Sequence, residues 1–273
     1  MEEFWLRPRL VEPVGPDAEA VPRVVEESNE SETEMDAAEW AVARLGFEPD
    51  PLQRDLLSGG GRRVIVNCTR QWGKSTVTAA KAVHHAYFRK EGLALVVSPS
   101  ARQSGEFVRK AAEFLRRLGI RPRGDGKNEI SLALPNGSRI VGLPGTEATV
   151  RGFSATLLLI DEASRVSDEQ YRAATPMLAA KNGDLWMMST PCGKRGFFYD
   201  VWWKGGEEWK KVSVPATECS RIAASFLEEA RESMGERWFR QEYLCEFSDV
   251  ETSLFDREML MGAVRKGVRP LWS

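Results

Sequence analysis

Hydrophobic positions along this chain fall into two alternating rhythms. Short runs with apolar centres stand at 63–67, 93–97, 156–161 and 185–189, the first three rich in Val, Ile or Leu and the last in Trp and Met. Runs of that length without polar interruption predict strands buried on both faces. Between them, 74–90 alternates small and apolar groups at helical spacing, and Ser100 stands where it caps a helix running to 118. Short helices are expected over 36–45 and through Leu57, a capping box pairs Ser167 with Gln170, and a last strand over 209–214 precedes helices near 225–234 and 236–244. The stretch 129–134, the turn Pro135-Asn136-Gly137-Ser138 and 139–141 form a hairpin, because Asn-Gly supplies the positive φ that a tight turn needs. Strands separated by helices predict an α/β fold: a parallel sheet covered on both faces, with a β-hairpin insertion and a small C-terminal helical lid. No internal repeat is visible.

Composition adds one correction to this picture. The 273 residues are 42% hydrophobic and 29% charged, ordinary values for a globular chain. The net charge of −2, however, joins two unlike parts. Residues 1–36 hold 11 acidic and 3 basic groups, leaving 29 acidic and 35 basic in the remainder. With Pro8, Pro13, Pro16 and Pro22 and an acidic run over 26–32, the stretch 1–35 reads as a flexible tail that buries too little to order itself. The α/β core is expected over 36–214, a lid over 215–255, and the start of a linker over 256–273. The body is mildly basic, which permits a nucleic-acid partner without requiring one. No apolar stretch approaches a membrane span and no charged-then-apolar leader opens the chain; four scattered cysteines (68, 192, 219, 245) fit neither a metal knuckle nor a disulfide scaffold. A reducing, cytoplasmic setting is expected.

The candidate chemistry lies at strand ends. Between the strand at 63–67 and the helix at 74–90 stands Cys68-Thr69-Arg70-Gln71-Trp72-Gly73-Lys74-Ser75-Thr76. Gly73-Lys74-Ser75 has the form of a phosphate-binding loop end: backbone N–H groups wrap phosphates, the lysine reaches the β and γ oxygens, and the serine hydroxyl takes a Mg²⁺ site. Cys68 occupies the place of the usual first glycine. Leu157-Leu158-Leu159-Ile160-Asp161-Glu162 places Asp161 at the end of a buried strand, suited to a metal's water shell, and Glu162 beside it, suited to polarising an attacking water. Ser189-Thr190-Pro191 closes another strand where a γ-phosphate sensor would lie. Gln53 carries an amide able to pair with adenine's edge. The adjacent His84 and His85 lack companion ligands and read as packing or solvent-exposed residues.

In this order, these segments resemble the ATPase domain of the large terminase subunit of tailed phages. The resemblance runs from about Phe47 to Phe255 and rests most on Arg70-Gln71-x-Gly73-Lys74-Ser75, Val150-Arg151-Gly152 ahead of Leu157, and Ser189-Thr190-Pro191-x-Gly193. Gly196-Phe197-Phe198-Tyr199 and 241–247 add to it. It implies a P-loop core of RecA-like type that hydrolyses ATP with Mg²⁺ and drives double-stranded DNA into procapsids. Its implied partners are a homo-oligomeric ring on a portal and a small terminase subunit, in the host cytoplasm. Gln71, Gly73, Lys74, Ser75 and Thr76 would bind nucleotide, Ser75 and Asp161 the metal, and Glu162 would activate water. Gln53 would read adenine, Ser189 and Thr190 would couple the γ-phosphate to movement, and Arg70 would reach the γ-phosphate in cis. Arg151 matches an arginine finger offered to a neighbouring subunit; an arginine before glycine equally suits a backbone-carbonyl clamp. Family members continue into a nuclease domain, and no DNA cleavage is expected of the residues here.

Two readings compete. A DEAD-like helicase fits Asp161-Glu162-Ala163-Ser164 and Gln53, but needs a second RecA-like domain for which the 82 residues after Pro191 are too few. A nucleotide-gated assembly protein without turnover has no use for Glu162. For phosphate contacts with DNA two basic groups are open: Arg116, Arg117, Arg121, Arg123 and Lys127, or Lys194, Arg195, Lys204, Lys210 and Lys211.

Overall fold

In the computed structural model, residues 35–144 and 152–248 are described. The acidic tail, Arg151 and the linker expected over 256–273 lie outside them. Among the described residues, no helix is long and apolar enough to cross a membrane.

Seven strands form one sheet: β1 (Arg63–Cys68), β2 (Leu93–Ser98), β3 (Ser131–Ala133), β4 (Arg139–Pro144), β5 (Leu157–Asp161), β6 (Asp184–Ser189) and β7 (Trp209–Val214). Their spatial order is β3-β4-β2-β5-β6-β1-β7, and every neighbouring pair is parallel except β3 with β4. The hairpin at the Asn136-Gly137 turn is therefore part of the main sheet rather than an appendage, since β4 also pairs with β2. The expected parallel sheet, its hairpin and the helical lid are all present.

Period-two alternation sorts the buried strand residues between two layers. Ile65, Leu95, Val97, Leu158, Ile160 and Met187 face a cluster that includes Met177, Leu178, Phe197 and Phe198. The latter come from the 3₁₀ turns after α5 (Asp168–Ala174) and from α6 (Gly196–Lys204). The alternate set (Val64, Val66, Ala94, Val96, Leu157 and Leu159) is fully buried on the other side, where α3 (Lys74–Phe88) and α4 (Ala101–Arg117) pack against β2, β4 and β5. Helices α1 (Ala37–Leu45) and α2 (Pro51–Ser58) complete that layer, with Trp40 of α1 packed edge-on to His84 and Phe88 of α3.

The lid is the pair α7 (Ala224–Met234) and α8 (Glu236–Leu244), with its own small core of Ala216, Ala230, Phe239 and Tyr243. It returns to the sheet through three bonds at the ends of β1 and β7. Asn67 donates to the Cys245 carbonyl at 2.8 Å, Thr69 Oγ1 to the Glu242 carbonyl at 3.1 Å, and the Cys245 thiol to the Val214 carbonyl at 3.2 Å. The sheet edge at β7 carries Lys210 and Lys211, charges that discourage strand addition.

Candidate active site

The strand order sets the geometry. β6 lies between β1 and β5, so the phosphate loop after β1 and the acidic pair after β5 flank the Ser189-Thr190 end of β6 along one carboxyl edge. Ligands bind in such crevices in open parallel sheets.

Each side chain is aimed by local backbone. Gly73 at φ 90° is the N-cap of α3, so the loop's last peptide turns into the first helical turn, where unsatisfied N–H groups gather. Gln71 also sits at positive φ, 65°. Glu162 leaves the end of β5 in a left-handed conformation, φ 52°, which swings its carboxylate toward the loop. Such a backbone costs about 1 kcal/mol or more in a non-glycine residue and persists where surrounding contacts hold it. Here its N–H donates to Asp161 Oδ1 at 3.0 Å.

Lysine, serine, aspartate and glutamate converge. Lys74 Nζ lies 2.8 Å from Glu162 Oε1, with the two side chains only 12% and 19% exposed. Ser75 Oγ donates to Asp161 Oδ2 at 3.2 Å. Burial opposes the Lys74 charge, but the pull of Glu162 and of other anionic groups nearby raises its pKa above the ordinary lysine value. Asp161 moves up as well, chiefly through burial and further through the charge of Glu162, with Lys74 and Ser75 opposing in part. Cys68, in the place of a first glycine, is a fully buried thiol pushed far up by desolvation.

The acidic turn is stitched to β6. Ser164 donates its N–H to Ser189 Oγ at 3.2 Å and its hydroxyl to the Thr190 carbonyl at 2.7 Å, which leaves Ser189 as donor in the 2.7 Å bond between the two hydroxyls.

Some residues have other engagements here than the sequence suggests. Gln53 is completely buried; its amide nitrogen donates to the Trp72 carbonyl at 2.8 Å and its oxygen accepts the Asp50 N–H at 3.1 Å. Both ends of the amide assigned to adenine are thus spent within the chain. Arg70 turns to the lid, where its Nε meets Glu242. Glu242 also lies 3.5 Å from Arg165 Nη2, and Arg165 Nε lies 3.9 Å from Glu162. Glu242, Arg165 and Arg221, which bonds the loop at Trp72, carry no local signal in the sequence that marks them for the site, whereas Ser164 stands in the Asp161-Glu162-Ala163-Ser164 run without a role assigned to it. Glu242 does lie inside the 241–247 segment that carries part of the resemblance, but nothing there points to residue 70 as its partner.

The family profile described as terminase large subunit, T4likevirus-type, N-terminal, matches residues 65–261. This chain belongs to the terminase large-subunit family. The large terminase subunit of Thermus phage G20c is 24% identical over 267 residues, covering 82% of this chain and 54% of that one. That of Escherichia phage T5 is 25% identical over 186 residues, covering 64% and 42%. The terminase chain thus spans about half the length of the curated relatives it matches. In fold it is similar to the Thermus phage P74-26 large terminase ATPase domain, with a TM-score of 0.70 at 19% identity, covering 78% of this chain and all of that one. The HK97 bacteriophage large terminase gives 0.65 at 17% identity over 78% and 56%. A large terminase from a thermophilic bacteriophage, solved in complex with ADP, gives 0.57 at 12% identity over 76% and 52%.

Proposed function

We propose that this terminase domain hydrolyses ATP and couples hydrolysis to movement of double-stranded DNA into procapsids. The observation that carries the reading is the convergence of Lys74, Ser75, Asp161 and Glu162 on one carboxyl edge of the sheet. Lys74 takes the β and γ oxygens of the triphosphate and the N–H groups of 73–76 wrap them. When Lys74 turns to the phosphates, Glu162 gives up its ion pair and accepts a proton from the attacking water. Ser75 and Asp161 are two hard oxygen donors in contact, the chemistry Mg²⁺ takes alongside phosphate oxygens and water. When bound, Mg²⁺ neutralises charge on the β and γ phosphates. Ser189 and Thr190, tied to the acidic turn through Ser164, carry its displacement into β6. We assign Arg151 as a finger for the neighbouring subunit's phosphate, in a ring seated on a portal and supplied with DNA by a small subunit in the host cytoplasm.

The DNA-facing surface in this proposal is the group Arg116, Arg121, Arg123 and Lys127. Their side chains are exposed and no ion pair engages them among the described residues. The rival group is largely committed: Lys204 to Asp200, Lys210 to Asp55, and Lys211 to the Gly205 carbonyl. Arg117 is likewise spent, on the Leu45 and Gly46 carbonyls. Phosphate contacts of this kind bind duplex of any sequence and weaken steeply with salt.

Phosphate release measured against protein concentration tests the reading. Turnover per chain rising with concentration supports a site completed by a neighbour. Flat turnover favours a self-sufficient helicase-like site, and none an assembly protein.

A further inference from the structure

One carbonyl of the phosphate loop is held from two directions. Trp72 O accepts from Gln53 Nε2 at 2.8 Å and from Arg221 Nη1 at 2.9 Å. Gln53 belongs to α2 in the core, whereas Arg221 lies on the lid side, between the 3₁₀ turn Ala216–Glu218 and α7. The two donors are themselves joined through Asp50, the N-cap of α2. Its Oδ2 pairs with Arg221 Nη2 at 2.6 Å, while Asp50 and Gln53 close a capping box. Core helix, phosphate loop and lid segment therefore meet at a single peptide.

That peptide is the one ending in Gly73 N–H. In a trans peptide the C=O of one residue and the N–H of the next point in opposite directions, and the described residues contain no cis bond. Two donors fixing the Trp72 carbonyl toward α2 and the lid segment therefore turn the Gly73 N–H to the opposite side, where the proposed nucleotide site needs a donor to phosphate. The same two donors crowd the flank of Gly73: a Cβ built there would stand 2.8 Å from Arg221 Nη1 and 3.2 Å from Gln53 Nε2. The glycine is required for its φ of 90° and for the room its two neighbours take.

We propose that Arg221 is a positioning residue for nucleotide binding. Seated from the lid side, it presets the Trp72–Gly73 peptide so that the Gly73 N–H meets phosphate, and it makes nucleotide affinity depend on how the 216–223 segment sits on the loop. Gln53 is its partner in this task. Arg221 touches neither phosphate nor the attacking water. The inference rests on the reading of this loop as the ATP site.

The test is titration of the full chain with fluorescent ADP and ATP, alongside steady-state hydrolysis, for wild type, Arg221→Ala and Arg221→Lys. Loss of a charge-assisted bond to a buried carbonyl is expected to weaken ADP and ATP binding about 10-fold, with KM rising in step and kcat within about twofold of wild type. Arg221→Lys, which keeps one cationic donor, is expected to recover most of the affinity. Should Arg221→Ala prove unstable, Gln53→Glu removes the other donor at the same carbonyl and is expected to raise KM likewise. Wild-type affinity and KM in Arg221→Ala would overturn the inference while leaving the ATP site standing. A fall in kcat at unchanged affinity would overturn it too, by making Arg221 a catalytic group. Failure of wild type to bind either nucleotide would remove the ATP-site reading and this inference with it.

Discussion

Lys74 has to hold a full charge in a nearly closed site, and the 2.8 Å contact with Glu162 is what keeps it protonated against desolvation. Replacing Lys74 with Ala is expected to lower triphosphate affinity at least about 10-fold, as read by fluorescent-ATP titration; unchanged affinity would undermine the loop assignment. Ser164 is a second residue whose work is local. It ties the turn after Glu162 to Ser189 and Thr190, the link through which the proposed motor would pass displacement into β6. Ser164→Ala is expected to leave nucleotide affinity within about twofold and to reduce DNA-dependent ATP turnover severalfold, because one hydroxyl carries two of the three bonds.

At the scale of elements, the lid is attached by few groups of high consequence. The Glu242 carboxylate, itself nearly buried, is shared by Arg70 of the phosphate loop and Arg165 of the acidic turn. Glu242→Ala would remove that shared counter-charge; because Arg70 is exposed and Arg165 keeps its 3.9 Å contact with Glu162, the loss is on the order of 1 kcal/mol. Faster amide exchange over 236–245 than in wild type, with β1 and β5 still protected, is the expected outcome. Slow exchange throughout would show that the Asn67 and Thr69 bonds suffice. This element also marks where sequence reading stops. Strands β1, β2, β5, β6 and β7 are legible within a residue at most ends because nearly all are apolar runs bounded by turn residues. The capping residues Ser100 and Ser167 carry their own signature. Helix α6 is visible in sequence as a motif but not as a helix; it opens on Gly196 and is crowded with aromatics, a poor helical pattern that its packing on the sheet overrides. Lysine, serine and the acidic pair are legible because phosphate chemistry demands those types at strand ends. The pairing of residue 70 with 242 spans 172 positions and that of 72 with 221 spans 149, and no local pattern encodes such contacts.

For the whole molecule, two half-buried imidazoles set an acid limit. His84 and His85 lie between α3 and its neighbours, one against Trp40 and the other bonded to Thr156 at 2.8 Å. Burial first, and Lys81 second, push their pKa values down to about 4 and about 3. In the unfolded chain both take protons near 6.5, so their contribution to stability is full above that pH. It falls as the pH drops through 6.5 toward 4, where only the unfolded form binds protons. Urea melts at about pH 7.5, 6 and 5 are expected to show falling midpoints, and His85→Gln to flatten the trend; a constant midpoint would contradict the burial of these rings. The water-activating role proposed for Glu162 belongs to the site those helices support. Single-turnover ATP hydrolysis by Glu162→Gln, compared with wild type at equal ATP occupancy, tests it most directly. ATP is expected to stay bound with hydrolysis slowed by a factor of about 10² or more; hydrolysis at the wild-type rate would remove Glu162 from the water-activating role.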